Sequence, residues 1–222
     1  MPEPIEFMTE RLRLRQWEVR DREPFAAMNA DLDVMRYFAS VGTHESSNRT
    51  VDVWQSEIEE RGWSNWAVEH TESGMFIGFV GLSVPRRALP FMPRVEIGWR
   101  LAKEHWGKGF ATEAAKGVLR VGFERLDLNE IVSFTSLVNQ PSRAVMKRIG
   151  MINSGEDFDH PALPEGSELR RHCLYKISRE HWRNNDANPS IERTATGKPA
   201  AAAHVERWTS WKTADKSNLR ER

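Results

Sequence analysis

His105-Trp106-Gly107-Lys108-Gly109-Phe110-Ala111-Thr112-Glu113-Ala114-Ala115 is the stretch on which the reading of this chain turns. Gly107 and Gly109 flank Lys108, and a helix-forming run, Thr112-Glu113-Ala114-Ala115-Lys116, follows at once. Upstream, Val95-Glu96-Ile97-Gly98-Trp99-Arg100-Leu101 has the character of a strand. Strand, glycine loop and helix start gather backbone N–H groups and a positive helix end around one point. That arrangement binds phosphate. Glycine suits it because a side chain would hold the anion away from the main chain. Taken alone, the two glycines serve chain reversal in a βα turn equally well.

Spacing separates this loop from the common phosphate motifs. There is no G-x-x-x-x-G-K-[S/T]. Nor is there a G-x-G-x-x-G, because Thr112 stands at the third glycine position. A pyrophosphate site without either fingerprint suggests another ligand, such as coenzyme A. Downstream, Ile131-Val132-Ser133-Phe134-Thr135-Ser136-Leu137-Val138 is β-rich and runs into Asn139-Gln140-Pro141-Ser142-Arg143-Ala144-Val145-Met146-Lys147-Arg148-Ile149-Gly150-Met151. Pro141 suits a first helical turn and Gly150 a helix end.

Together, Glu-Ile-Gly-Trp, Trp-Gly-Lys-Gly-Phe-Ala-Thr-Glu-Ala and Asn-x-x-Ser-x-x-Val-Met-x-x-x-Gly-Met resemble the GNAT superfamily of acetyl-CoA-dependent N-acyltransferases. They look like its branch of ribosomal-protein N-terminal (alanine/serine) acetyltransferases. Thr9-Glu10-Arg11-Leu12-Arg13-Leu14-Arg15 and Asp33-Val34-Met35-Arg36-Tyr37 are similar as well. The resemblance covers residues 8–183. It implies an α/β fold with a mixed central sheet of about seven strands and flanking helices.

Composition bounds the reading. The 222 residues are enough for one α/β domain with its own core. A formal net charge of zero argues against direct nucleic-acid binding or a membrane-surface role. No apolar run reaches the length of a membrane span. The start, Met1-Pro2-Glu3-Pro4, has neither the basic end nor the apolar core of a signal peptide. Cys173 is the single cysteine, so no internal disulfide forms and a cytoplasmic home is the simple inference. No set of side chains has metal-ligand spacing.

Local patterns agree with that fold. Alternation over Arg11–Trp17 predicts a half-buried strand. Helices are expected at 21–30, 32–38 and 47–60, and a hairpin over 66–82 turns at Thr71-Glu72-Ser73-Gly74. Strand 95–101, helix 109–125, strand 130–138, helix 141–149 and strands near 151–158 and 168–177 follow. From residue 184 the composition turns polar, and 184–222 reads as a flexible tail. Trp208 and Trp211, three residues apart, are its one feature able to dock a helical turn.

For chemistry, the backbone N–H groups of 107–112 (Gly107, Lys108, Gly109, Phe110, Ala111 and Thr112) would hold a pyrophosphate, and Lys108 would add charge. Gly98 inside a strand suggests a bulge or close backbone approach. The resemblance implies main-chain contacts from Trp99, Arg100 and Leu101 to the pantetheine arm. It also implies a hydrogen bond from Asn139, with Ser142 and Lys147 facing the same ligand. Trp106 replaces the Gln or Arg of many family members. Glu96, a carboxylate in an apolar strand, is the candidate base, and the N–H of Ile97 or Gly98 the oxyanion donor. Met146 occupies the position where many members carry a proton-donating Tyr. Either Ser142 replaces that donor or the thiolate leaves unaided. His160 and Tyr37 are candidate acceptor contacts. The acceptor would be an amine, of a protein N-terminus or a small molecule, served by a monomer or homodimer. A non-catalytic acyl-CoA-binding module is the alternative.

Overall fold

A computed structural model of the chain describes residues 2–85 and 88–185. The candidate tail beyond residue 185, with Trp208 and Trp211, lies outside the described residues. In chain order the elements are β1 (Phe7–Met8), β2 (Leu12–Arg15), α1 (Arg22–Ala30), α2 (Leu32–Met35) and α3 (His44–Arg61). Then come β3 (Asn65–His70), β4 (Met75–Ser83), β5 (Glu96–Leu101), α4 (Phe110–Arg120) and β6 (Glu130–Ser136). Last are α5 (Gln140–Arg148), β7 (Ile152–Asn153), β8 (Phe158–Asp159), β9 (Arg171–Ser178) and α6 (Arg179–Asn185).

One sheet runs β1-β2-β3-β4-β5-β6-β9-β7, with β8 also on β9. It has nine strands where about seven were expected. The two extra come from β1, a two-residue strand too short to show alternation, and from the expected strand near 151–158, which is split into the two-residue pieces β7 and β8. The pairing is antiparallel except between β5 and β6, which run parallel because α4 carries the chain across.

Each face of the sheet has its own core. On one side Phe110, Ala114, Val118 and Leu119 of α4 and Met146 of α5 cover Ile97, Leu101, Ile131 and Tyr175. On the other, Phe25 and Met28 of α1 and Val51 and Ile58 of α3 cover Ala67 and Phe79. The tryptophans at 54, 63 and 66 pack in these cores. Trp66 is fully buried, and its Nε1 donates to the Ile5 carbonyl at 2.6 Å. α3 starts at Thr43, whose hydroxyl accepts from Ser46 N while the Ser46 hydroxyl accepts from Thr43 N, the reciprocal cap that satisfies two orphan donors. No helix among the described residues is long and apolar enough to cross a membrane.

A buried ion pair locks the α1–α3 layer onto the sheet. Arg15 of β2 donates to both Asp21 oxygens at 2.6 and 2.9 Å, and its Nε donates to Glu69 of β3 at 2.9 Å. Arg15 and Asp21 are 1% and 0% exposed, so each charge depends on the other for solvation. Removing one leaves the other buried and uncompensated. Asp21→Ala is expected to cost about 3–5 kcal/mol in urea unfolding. A loss below about 1 kcal/mol would show that Glu69 alone satisfies Arg15.

Candidate active site

The site begins where the sheet opens. β5 pairs with β4 along its whole length, from Glu96↔Ser83 to Leu101↔Gly78. β6 pairs with β9 over seven residues. Between β5 and β6 the register has one level only, Glu96↔Val132, where Val132 N–H donates to the Val95 carbonyl at 2.9 Å. Beyond it the two strands diverge, and their facing main-chain groups lose their partners.

Backbone alternation decides which groups line the opening. Val95 points its carbonyl at β6, so Ile97, Trp99 and Leu101 turn the same way, whereas Gly98 and Arg100 turn to β4. Ile97 lies at the last paired level. The Leu101 carbonyl accepts from Trp106 Nε1 at 2.8 Å. The N–H and C=O of Trp99 therefore face the opening.

Three expectations change accordingly. Arg100 has its main chain committed to β4, and Leu101 keeps only its N–H for a ligand. Of the N–H groups considered for an oxyanion, Gly98 faces β4 and Ile97 lies at the paired level, so neither points freely into the opening, whereas that of Trp99 does. Gly98 is also not a bulge, since β4 and β5 stay in register past it. The irregularity lies one strand pair away, between Val68 and Glu69 of β3, opposite Gly78.

The glycine loop follows β5. Gly107 and Gly109 hold φ of +73° and +82°, a region open to glycine at little cost. A Cβ on Gly107 would meet nothing within 4 Å, and one on Gly109 only the tip of Arg11 at 3.6 Å. Among the described residues, no N–H of 107–112 donates to a backbone carbonyl. The loop is thus an open cradle of unpaired donors at the start of α4, which fits a pyrophosphate. The Lys108 side chain is exposed, and Trp106 acts through its bond to Leu101 as a strut for the loop.

A network invisible from local sequence anchors this helix start. Glu113 accepts from Thr9 Oγ1 at 2.6 Å, Arg11 N at 2.8 Å and Arg11 Nε at 2.7 Å. Arg11 also donates to the Lys108 carbonyl at 3.2 Å and lies 4.7 Å over the Phe110 ring. Burial raises the Glu113 pKa, but the Thr9 and Arg11 hydrogen bonds outweigh it and hold the carboxyl below the usual range. The only sequence signal for this was a Glu in the first turn of α4.

Glu96 is half-buried at the foot of the opening, and no hydrogen bond or ion pair reaches it among the described residues. Burial alone pushes its carboxyl up to about 8. Across the opening, Asn139 caps α5: its Oδ1 accepts from Ser142 N at 3.2 Å and its Nδ2 donates to Thr135 Oγ1 at 2.9 Å. Its amide nitrogen is engaged with the strand, which leaves oxygen acceptor capacity for a ligand. Ser142 is half-buried beside it and Lys147 is exposed on the same helix.

Met146 is fully buried core. Tyr175 is 1% exposed and faces α5. Its hydroxyl lacks a hydrogen bond of normal geometry, although Arg143 lies close enough to be perturbed by it. His160 stacks on Phe134 with ring centres 6.1 Å apart and lies 4.9 Å from His172. The 156–168 loop therefore folds over the β6 side of the opening. Tyr37 is half-buried under Arg36, 4.7 Å away, on the opposite side. Among the described residues no three His, Cys, Asp or Glu side chains are placed to hold a metal ion.

This fold and opening have known counterparts. The family model described as an acetyltransferase (GNAT) domain matches residues 11–152. YnaD, an uncharacterized N-acetyltransferase of Bacillus subtilis, is 29% identical over 78% of this chain and 97% of its own. A GNAT-family acetyltransferase structure from Bacillus anthracis superposes with a TM-score of 0.65 at 29% identity, covering 79% of this chain and 99% of that one. Mycobacterium smegmatis RimJ, solved in complex with CoA-disulfide, shares the fold with a TM-score of 0.60 at 22% identity, over 76% of this chain and 82% of its own. The chain belongs to the GNAT acetyltransferase family and is an N-acetyltransferase.

The cradle makes a direct prediction. In Gly109→Trp the indole fills the open side and strains the +82° backbone. Coenzyme A binding by calorimetry is expected to weaken by at least about tenfold, or 1.4 kcal/mol, while far-UV circular dichroism keeps the helical signal. Unchanged affinity would place the pyrophosphate elsewhere.

Proposed function

We propose that this enzyme transfers the acetyl group of acetyl-CoA to a primary amine by direct attack in a ternary complex. The observation that carries the reading is the opening between β5 and β6, with unpaired main chain on its walls and, at its foot, a carboxylate, Glu96, that has no partner among the described residues. The thioester supplies an activated acyl carbon. The N–H groups of 107–112 hold the pyrophosphate, and the C=O of Trp99 and the N–H of Leu101 meet the pantetheine arm. Asn139, Ser142 and Lys147 approach it from the β6 side. The RimJ complex supports coenzyme A as a ligand of this fold.

An ammonium cannot attack, so the acceptor must first lose a proton. Glu96 takes it, directly or through water. The amine nitrogen then bonds to the acyl carbon, the carbonyl oxygen gains negative charge beside the Trp99 N–H, and the carbon–sulfur bond breaks. The thiolate carries the electron pair away, and the second proton of the nitrogen, shed as the amide forms, passes to the thiolate or to solvent. The lack of a proton donor at Met146 favours a non-catalytic module, but a thiol with a pKa of about 8.5 leaves without help. Ser142 is a second source of a proton within the same helix turn.

The pH profile tests the base. A carboxyl raised to about 8 is protonated, and useless as a base, below that value. Turnover is therefore expected to climb with pH until about 8 and then level off. Glu96→Gln should lower kcat by about 100-fold or more and lose the rising limb. Wild-type turnover by Glu96→Gln between about pH 6 and about pH 9 would remove Glu96 from the mechanism.

A further inference from the structure

Glu96, Gly98 and Arg100 alternate with Ile97, Trp99 and Leu101, so they share one face of β5. Packing agrees. Ile97 and Leu101 belong to the core beneath α4, whereas the Arg100 guanidinium lies 4.1 Å from the Phe38 ring centre and 5.5 Å from that of Phe79, on the α1–α3 side. Between the two charges Gly98 contributes no atom, and a Cβ there would meet nothing within 4 Å. Its partner in register on β4 is Gly81. The face thus has an acidic end, an empty middle and a basic end. Phe134, two residues past Val132, stands across the opening at the level of Gly98, with His160 and His172 packed on it.

Among the described half-buried and buried guanidiniums, Arg100 and Arg143 alone make no ion pair, and Arg143 donates instead to the Leu137 carbonyl at 2.9 Å. Arg15 has Asp21 and Glu69, Arg22 has Asp52 and Arg179 has Asp127. Arg100 has no carboxylate partner among the described residues. Its Nη1 donates to Asn29 Oδ1 at 2.6 Å, and Asn29 is held in turn by Ser47 Oγ at 2.9 Å. Its Nε is enclosed and makes no hydrogen bond. Burial lowers its pKa to about 10, which still leaves it charged at neutral pH. The ring faces of Phe38 and Phe79 offset part of the cost of that cation, and Phe38 itself is 43% exposed. A guanidinium pre-oriented by a neutral amide and lacking an anion keeps donor capacity and an uncompensated charge that suit a carboxylate.

We infer that Arg100 determines acceptor specificity: with Glu96 receiving the amine, it takes a carboxylate at the far end of the acceptor. This rests on the reading of Glu96 and the opening given above. Four residues of strand separate the two Cα atoms by about 13 Å. The amine and carboxylate of the acceptor must therefore be several bonds apart. An ω-amino acid, or a peptide whose amine and acidic group are spaced alike, fits this face. A simple α-amino acid is too short, and a polyamine would bring a cation to Arg100.

Three acceptors of one length separate the possibilities: 6-aminohexanoate, hexylamine and 1,6-diaminohexane. Thiol release from acetyl-CoA is measured with each, on wild type, Arg100→Gln and Arg100→Lys. The expected KM for 6-aminohexanoate is at least about tenfold below the other two, a difference of 1.4 kcal/mol. Arg100→Gln should raise that KM more than it lowers kcat, and by at least about tenfold more than for the uncharged and cationic tails; Arg100→Lys should recover part of the loss. Equal KM values, equal effects on all three amines, or a loss of coenzyme A affinity in Arg100→Gln would overturn the inference. A second arm does not need turnover: 6-aminohexanoate is titrated by calorimetry into protein saturated with coenzyme A. Binding by wild type that disappears in Arg100→Gln supports the receptor even if no amine is acetylated, a result that would sink the proposed transfer alone. No binding by wild type would sink the receptor.

Discussion

The divergence of β5 from β6 is the constraint from which the rest of the site follows. Two parallel strands in the middle of a sheet would ordinarily satisfy each other's main chain. Here each is held along its length by an antiparallel neighbour on its other side, β4 for β5 and β9 for β6. Twist accumulates separately in the two halves, and they part after one shared level. The result is a gap with polar main-chain walls inside an otherwise closed sheet. Such a gap favours a ligand that is itself peptide-like and extended. In the proposed function the cradle at the start of α4 would receive the charged end of that ligand, because the same crossover that makes β5 and β6 parallel brings the helix N-terminus beside the gap.

The two charges on the proposed acceptor face lack ion-pair partners among the described residues, and both are displaced from their usual pKa by burial: Glu96 upward and Arg100 downward. Structural ion pairs elsewhere in the molecule show the contrast. Arg15 with Asp21 and Glu69, and Arg11 with Glu113, are closed networks that stiffen the scaffold. They fix the position of α1 and of the start of α4. The open charges stand between those fixed points, where a substrate can complete them.

The fold was largely legible in the sequence, because most of its elements carry local signals. The spacing Gly107-Lys108-Gly109 before Thr112-Glu113-Ala114 marks a cradle and a helix start within a dozen residues, and Pro141 and Gly150 bracket α5. The site was legible only in part. Which main-chain groups of β5 face the gap depends on register, which Glu96↔Val132 sets across an intervening helix. Gly98 read as a bulge or a close backbone approach because an interior glycine in a strand has no local cause, yet the strand stays in register there and a Cβ would meet nothing within 4 Å. Glu113 and Arg11 are about a hundred residues apart, and Phe38 meets Arg100 only through the packing of the α1–α2 segment. Periodicity carries no information about such pairs.

Amide hydrogen exchange, with and without coenzyme A, tests the central claim that the gap and the cradle together form the cofactor site. The account predicts slowed exchange on binding at the N–H groups of 107–112 and of Trp99, with Gly98 and Arg100 unaffected because they already pair with β4. Protection confined to other strands, or equal at Gly98 and Trp99, would contradict it.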